Sequence, residues 1–131
     1  MKNKICTSLE QSKRLIELGI DMNTADMIWV LANPDLPMIK AIAYEDSDKN
    51  NNYYEILPAW SLSASLGLMP KLYEFENDPD DGGCQPNLCK GWDNNQWHIV
   101  YRSSIYITEW YDNPIDACVE MVCWLLENGK I

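Results

Sequence analysis

The spacing of apolar and polar residues predicts a helix near the start of the chain. After Ser8, leucine and isoleucine fall on one half of a helical wheel and charged residues on the other. Ser8 followed by Gln11 matches a capping box, and Gly19 is placed to end the helix. The pattern is typical of a surface helix that packs on a core.

The last helix has the clearest start in the chain. Asn113 is a good N-cap, Pro114 suits the first helical position, and Gly129 follows as a terminator. Over residues 114–128 only a narrow polar stripe interrupts the apolar residues, so the apolar arc is wider than one sheet contact requires. Either another element or another subunit covers it, and a homodimer formed through helix 114–128 is one prediction.

Alternation and turn residues predict the elements between these helices. Residues 39–44 and 53–57 read as strands joined in an antiparallel hairpin, and a short helix is expected between Pro58 and Pro70. Residues 97–102 and 105–110 also alternate like strands. No repeat or linker is visible. The prediction is one α+β domain over residues 1–131, with about three helices packed on an antiparallel or mixed sheet.

The net charge limits the kinds of binding partner that we expect, and the cysteine content limits the expected cellular compartment. Twenty acidic residues against ten Lys and Arg give a net charge of -10, which disfavours direct binding to nucleic acid or to an anionic membrane surface. No apolar run is long enough for a signal peptide core or a membrane span. The five cysteines form an odd set that suits reduced thiols, so we expect a cytoplasmic protein.

Few motifs carry chemistry. Cys84, Cys89 and His98 could ligate a soft metal, with Asp81 or Asp93 as a fourth ligand, but the cysteine spacing is poor for zinc and a second pair is missing. The chain has one histidine, and no nucleophile motif surrounds any Ser or Cys. The glycine-rich nucleotide motifs are absent too. We expect no cofactor and no metal, and the balance leans away from an enzyme.

An acidic loop and an excess of two aromatic types stand out. Residues 74–83 carry a run of acids that includes Asp80 and Asp81, typical of a loop. The chain has six Trp and seven Tyr against one Phe, and rings with a polar edge favour wet interfaces. Trp92 and Trp97 flank a polar turn, so they are predicted to be an exposed pair. With His98, Asp80 and Asp81 they form the candidate binding residues.

Two stretches carry a resemblance to known proteins. Residues 58–64 (PAWSLSA) form one stretch, and residues 113–126, with NPIDA at the start and EMVCWLL at the end, form the other. Both resemble segments of short proteins from gut bacteria and their phages or mobile elements. That group has no established activity. The resemblance therefore implies a phage-related accessory role and no catalytic or binding residues.

Two functional hypotheses follow. The leading one is a non-catalytic, intracellular interaction or adaptor protein that binds a protein partner or itself, and its acidic surface favours a basic partner. The alternative is a small-ligand-binding protein or enzyme with a site near the acidic loop 74–83 and Trp92, Trp97 and His98. A flat aromatic face there would support the first, and a deep pocket with converging polar groups the second.

Overall fold

The computed structural model describes residues 4–31, 37–44, 55–70, 85–101 and 106–131. Within them the chain forms three α-helices, a short 3-10 helix and six strands. In chain order these are α1 (Leu9–Glu17), the 3-10 helix (Met22–Thr24), β1 (Met27–Leu31), β2 (Met38–Lys40), β3 (Glu55–Ala59), α2 (Leu62–Gly67), β4 (Asn87–Lys90), β5 (Trp97–Tyr101), β6 (Tyr106–Ile107) and α3 (Pro114–Glu127). The predicted α+β class is confirmed, and every strand pair is antiparallel.

Capping residues fix both ends of the two longer helices. The Ser8 hydroxyl accepts a hydrogen bond from the Gln11 amide, and the Gln11 side chain accepts one from the Ser8 amide, which completes the predicted capping box. Gly19 and Gly129 both adopt positive φ, 103° and 68°. In each case the amide of the glycine and that of the next residue donate hydrogen bonds to carbonyls of the last helical turn, as in a Schellman motif. Both predicted terminators are confirmed.

The first sheet has the order β2-β1-β3, and this corrects one prediction. Residues 39–44 and 53–57 do not form a hairpin, because both β2 and β3 pair with β1. The second strand of the predicted hairpin is found close to its expected place, whereas the first ends at Lys40. Strand β1 is a continuous apolar run, the pattern of a central strand covered on both faces. A central strand can form hydrogen bonds with a neighbour on each side. Strand β1 therefore lies between β2 and β3, which do not pair with each other.

The second sheet has the order β4-β5-β6. Strands β5 and β6 lie where alternation predicts them, although β6 is shorter than residues 105–110. Strand β4 was not predicted and lies in the segment that contains Cys89. It pairs with β5 through a tight turn at residues 91–96.

Helix α3 occupies the centre of the main core and contacts β5, α2 and α1. Eight of its residues are buried: Ile115, Ala117, Cys118, Val119, Met121, Val122, Cys123 and Leu125. They pack with residues from the rest of the chain, among them Leu15, Trp60, Met69, Ile99 and Tyr101. The wide apolar arc is thus covered within the chain. The observation that suggested a dimer through helix 114–128 is explained without a second subunit.

Searching the described residues for a helix both long and apolar enough to span a bilayer finds none.

Candidate functional site

The side chains of strand β5 show which face of the second sheet is buried and which is open. Ile99 and Tyr101 are completely buried and belong to the core beneath α3. Because side chains alternate along a strand, His98 and Val100 point to the opposite side. Both are only partly buried, so this side of the sheet is open.

The strand register extends the open side across the whole sheet. Cys89 lies directly opposite His98, and Asn87 opposite Val100, while Ile107 pairs with Val100 from the other side. Residues paired across strands point to the same face. We call the resulting surface the outer face and define it by six residues: Asn87, Cys89, His98, Val100, Ile107 and Trp110. None of these residues is charged, and Ile107 is 49% exposed.

A β-bulge follows β6 and brings the last of these residues to the outer face. Val100 pairs with Ile107, and Trp97 pairs with Tyr111 through two hydrogen bonds of 2.7 and 2.8 Å. Two residues separate these pairs on β5, whereas three separate them on the facing segment. The facing segment therefore contains one extra residue, which is the definition of a bulge. The Thr108 hydroxyl accepts a hydrogen bond of 2.9 Å from the Ile99 amide and completes the ladder beside it.

The bulge places the Trp110 ring against His98. The two rings are stacked, with centroids 3.9 Å apart and an interplanar angle of 12°. Burial lowers the pKa of His98 below its usual value, which favours the neutral imidazole at neutral pH. Trp110 remains 42% exposed. We call this stacked pair the aromatic platform, and part of its Trp110 ring is open to solvent.

The β4–β5 turn holds Trp92 at the end of this sheet. The Gly91 amide bonds to the Gln96 carbonyl at 2.8 Å, and the Gln96 amide bonds to the Asn94 side chain at 3.0 Å. Asn95 adopts a positive φ of 54°, which Asn tolerates better than most residues. The turn is tightly hydrogen-bonded, yet Trp92 is 97% exposed. A large apolar ring held in water by an ordered turn is typical of an anchor for a partner.

The structure separates the two tryptophans that were predicted to be an exposed pair. Trp92 is exposed as expected, but Trp97 shares the inner side of β5 with Ile99 and packs against the main core. The Lys90 ammonium lies 5.6 Å from the centroid of the Trp97 ring. The exposed-pair prediction is therefore wrong for Trp97, because strand alternation turns its side chain away from His98. Trp110 and Ile107 are the surface residues that sequence reasoning missed.

Two of the three predicted metal ligands are brought together. Cys89 and His98 are cross-strand neighbours on the outer face, while Cys84, Asp80 and Asp81 lie outside the described residues. The Cys89 thiol makes a weak contact of 3.8 Å with a backbone carbonyl. A zinc site needs at least three protein ligands. Within the described part of the chain no group of three or more His, Cys, Asp or Glu side chains could hold a metal ion.

A separate recess of about 400 Å³ lies between the N-terminal segment and the first sheet. Its apolar lining comes from Ile5, Cys6, Trp29 and Ile39, and its polar rim comes from Lys4, Ser8 and Asn113. The rim residues already make internal hydrogen bonds: Ser8 and Asn113 cap helices, and the Lys4 ammonium donates to Gln11 and Asp116. The rim therefore stabilises the fold rather than offering free groups to a polar ligand.

Asp116 is the centre of the hydrogen-bond network at this rim. Its carboxylate accepts hydrogen bonds of 2.7 Å each from Lys4, Gln11 and Asn113. Burial by itself would raise the pKa of this carboxyl, but the hydrogen bonds and the charge of Lys4 outweigh burial and lower the pKa below its usual value. The network joins the N-terminal segment to the starts of α1 and α3.

We expect Asp116→Asn to lower the free energy of unfolding by about 1–2 kcal/mol at neutral pH, since the site is partly exposed. The pKa of Asp116 is lower in the folded state than in the unfolded chain. The unfolded chain therefore binds more protons as the pH falls below about 3.9, and the contribution of Asp116 is lost as the pH falls through the folded-state pKa.

Urea unfolding followed by circular dichroism across the acid range measures this contribution. The curves of the parent protein and Asp116→Asn should converge at the acid end. Glu17→Gln, which changes an exposed carboxylate on α1, is the matched control and should stay parallel to the parent. A constant gap between parent and Asp116→Asn at every pH would contradict the role given to this network.

A scan against protein-family models finds no match for this chain, and searches of curated proteins and of solved structures find none either.

Proposed function

We propose that this protein is a non-catalytic interaction protein that binds a protein partner through the outer face and the neighbouring Trp92. The observation that carries the proposal is the exposure of large apolar side chains on the second sheet and in its β4–β5 turn. Trp92, Ile107 and Trp110 are 97%, 49% and 42% exposed. Aromatic residues on an uncharged patch are the composition that protein interfaces favour.

The composition of this region also supports docking over catalysis. Of the six residues of the outer face, only Cys89 and His98 carry side chains suited to nucleophilic or acid–base chemistry. A ligand site or active site buries most of its ligand in a concave pocket with converging polar groups. The alternative site near loop 74–83 also required Trp97 to face the same side as His98, which it does not.

A cytoplasmic location is part of the proposal. The four described cysteines are free thiols: Cys6, Cys89, Cys118 and Cys123. Burial raises the pKa of Cys118 to about 12 and that of Cys123 to about 11, so both are protonated, inert core residues at neutral pH. Reduced thiols of this kind suit a reducing compartment.

Site-specific photo-crosslinking in the native host tests the docking surface. A photoreactive amino acid at position 107, on the outer face, should yield a discrete crosslinked species of higher mass that contains a second protein. The same probe at position 17, exposed on α1, is the matched control and should yield none.

The crosslink should also disappear when Trp110→Ala is combined with the probe at position 107. Equal crosslinking from positions 107 and 17, or none from position 107 under any growth condition, would refute the proposed function.

A further inference from the structure

We propose that the partner presents a basic, arginine-bearing segment to the outer face. This inference rests on the proposed function and adds the chemistry of the partner to it. The charged groups near the aromatic platform all have the same sign, and the exposed rings are indoles. Both features favour a basic partner.

Three exposed carboxylates lie in the two segments that carry Trp92 and Trp110. Glu109 lies in the bulge next to Trp110, and Asp93 follows Trp92 in the turn. The side-chain amide of Gln96, at the end of the turn, donates a hydrogen bond of 3.3 Å to Asp112. We call Asp93, Glu109 and Asp112 the acidic rim.

Positive charge lies on the other side of the sheet. Lys90 is cross-strand from Trp97, and its ammonium lies over the inner-side ring of Trp97. Within residues 85–101 and 106–113, Lys90 is the single Lys or Arg. The described part of the rim thus attracts cations and carries no base to offset its field.

The exposed rings favour arginine over lysine. Trp gives the strongest cation–π attraction of the aromatic side chains, and a guanidinium stacks flat on a ring while its edge donates to carboxylates. Trp92 with Asp93, and Trp110 with Glu109, each place an indole beside a carboxylate in sequence. A lysine ammonium is more strongly hydrated and forms no bidentate contact.

A second copy of this chain fits the surface less well. In a two-fold interface the same patch meets itself, so the rim of Asp93, Glu109 and Asp112 would face its own counterpart. Like charges brought together at an interface are repulsive, and each chain already carries a net charge of -10. Charge complementarity therefore selects a basic partner.

Binding of fluorescein-labelled oligoarginine, measured by fluorescence anisotropy at physiological ionic strength, tests the inference. The rim variant D93N/E109Q/D112N should weaken binding at least about tenfold, as three lost ion pairs imply. The matched variant E10Q/E17Q/E55Q removes the same charge from exposed sites elsewhere and should change binding less than about twofold, since screening limits distant charges. Oligolysine of the same length should bind the parent protein more weakly than oligoarginine.

Equal weakening by the two triple variants would show a general charge effect and overturn the inference, as would tighter binding of oligolysine. A photo-crosslinked homodimer from position 107 would also overturn it, because the occupant would then be a second copy. If the rim variant leaves a heterologous crosslink at position 107 unchanged, the docking surface stands and the basic partner is refuted. Absence of any crosslink at position 107 in the protein with an intact rim would instead refute the proposed function itself.

Discussion

Trp60→Ala should lower the free energy of unfolding by about 3–5 kcal/mol, the range found when a large aromatic side chain is removed from a packed core. Trp60 has no exposed surface and joins the end of β3 to the main core. Its indole N–H donates to the Thr24 hydroxyl at 2.9 Å, and its backbone exchanges hydrogen bonds with Thr7. The substitution therefore creates a cavity and removes the hydrogen bond between the indole and Thr24.

Equilibrium unfolding in urea at neutral pH measures this effect. Because domains of this size are stable by about 5–15 kcal/mol, the variant should unfold at a much lower urea concentration. Trp92→Ala makes the same chemical change at an exposed position and should shift the free energy of unfolding by no more than about 0.5 kcal/mol. A loss below about 1 kcal/mol for Trp60→Ala would mean that Trp60 is not part of a close-packed core.

Trp92→Ala should have its large effect on binding instead. An exposed tryptophan that becomes buried at an interface is typically among the residues whose truncation weakens binding by 2 kcal/mol or more. We therefore expect the dissociation constant for the crosslinked partner to rise at least about 30-fold. The neighbouring hydrogen bonds of Gly91 and Gln96 already order the backbone of the turn, so binding has to order only the Trp92 side chain.

The matched control for binding is Trp124→Ala, which removes a partly buried indole on α3, outside the second sheet and its turn. It should leave the dissociation constant within about threefold of the parent, even if stability falls. Surface plasmon resonance with the purified partner gives both values. Similar dissociation constants for Trp92→Ala and the parent protein would exclude Trp92 from the interface.

The helices were predictable because their signals are local. Ser8, Asn113, Gly19 and Gly129 each act on residues within one helical turn, so their effect can be read from a short window of sequence. The burial of Cys118 and Cys123 follows from the same periodicity. The periodicity predicts that a surface is apolar but not which elements cover it. For this reason the wide apolar arc of α3 was also compatible with a dimer.

The sheet was less predictable because strand pairing is non-local. Strands β2 and β3 are neighbours in chain order and their sequences suggest a hairpin, yet both form their hydrogen bonds with β1. The apolar run Met27–Leu31 was the available signal, since a strand without polar alternation is usually central. Recognising it as a strand would have offered the central partner that the hairpin prediction lacked.

The candidate site was predicted only in part, for a similar reason. Trp92 was found because a tryptophan in a polar turn has little core to reach. Regular alternation assigns Trp110 to the same side as the buried Thr108, and so to the core. The stack with His98 shows the opposite orientation. A bulge has no reliable sequence signal at this position, so the platform could not be assembled from the sequence alone.

The bulge also reverses the relation between residue number and the side of the sheet that a side chain faces. Before it, Thr108 is buried and Ile107 lies on the outer face; after it, Tyr111 packs on the core and Trp110 lies on the outer face. Before Glu109 the odd-numbered residue lies on the outer face, whereas after Glu109 the even-numbered residue does. It follows that a chain shortened by that one residue would regain an unbroken ladder while keeping the same residues inside and outside. Length at this place is therefore free to vary, whereas the order of the flanking residues is not.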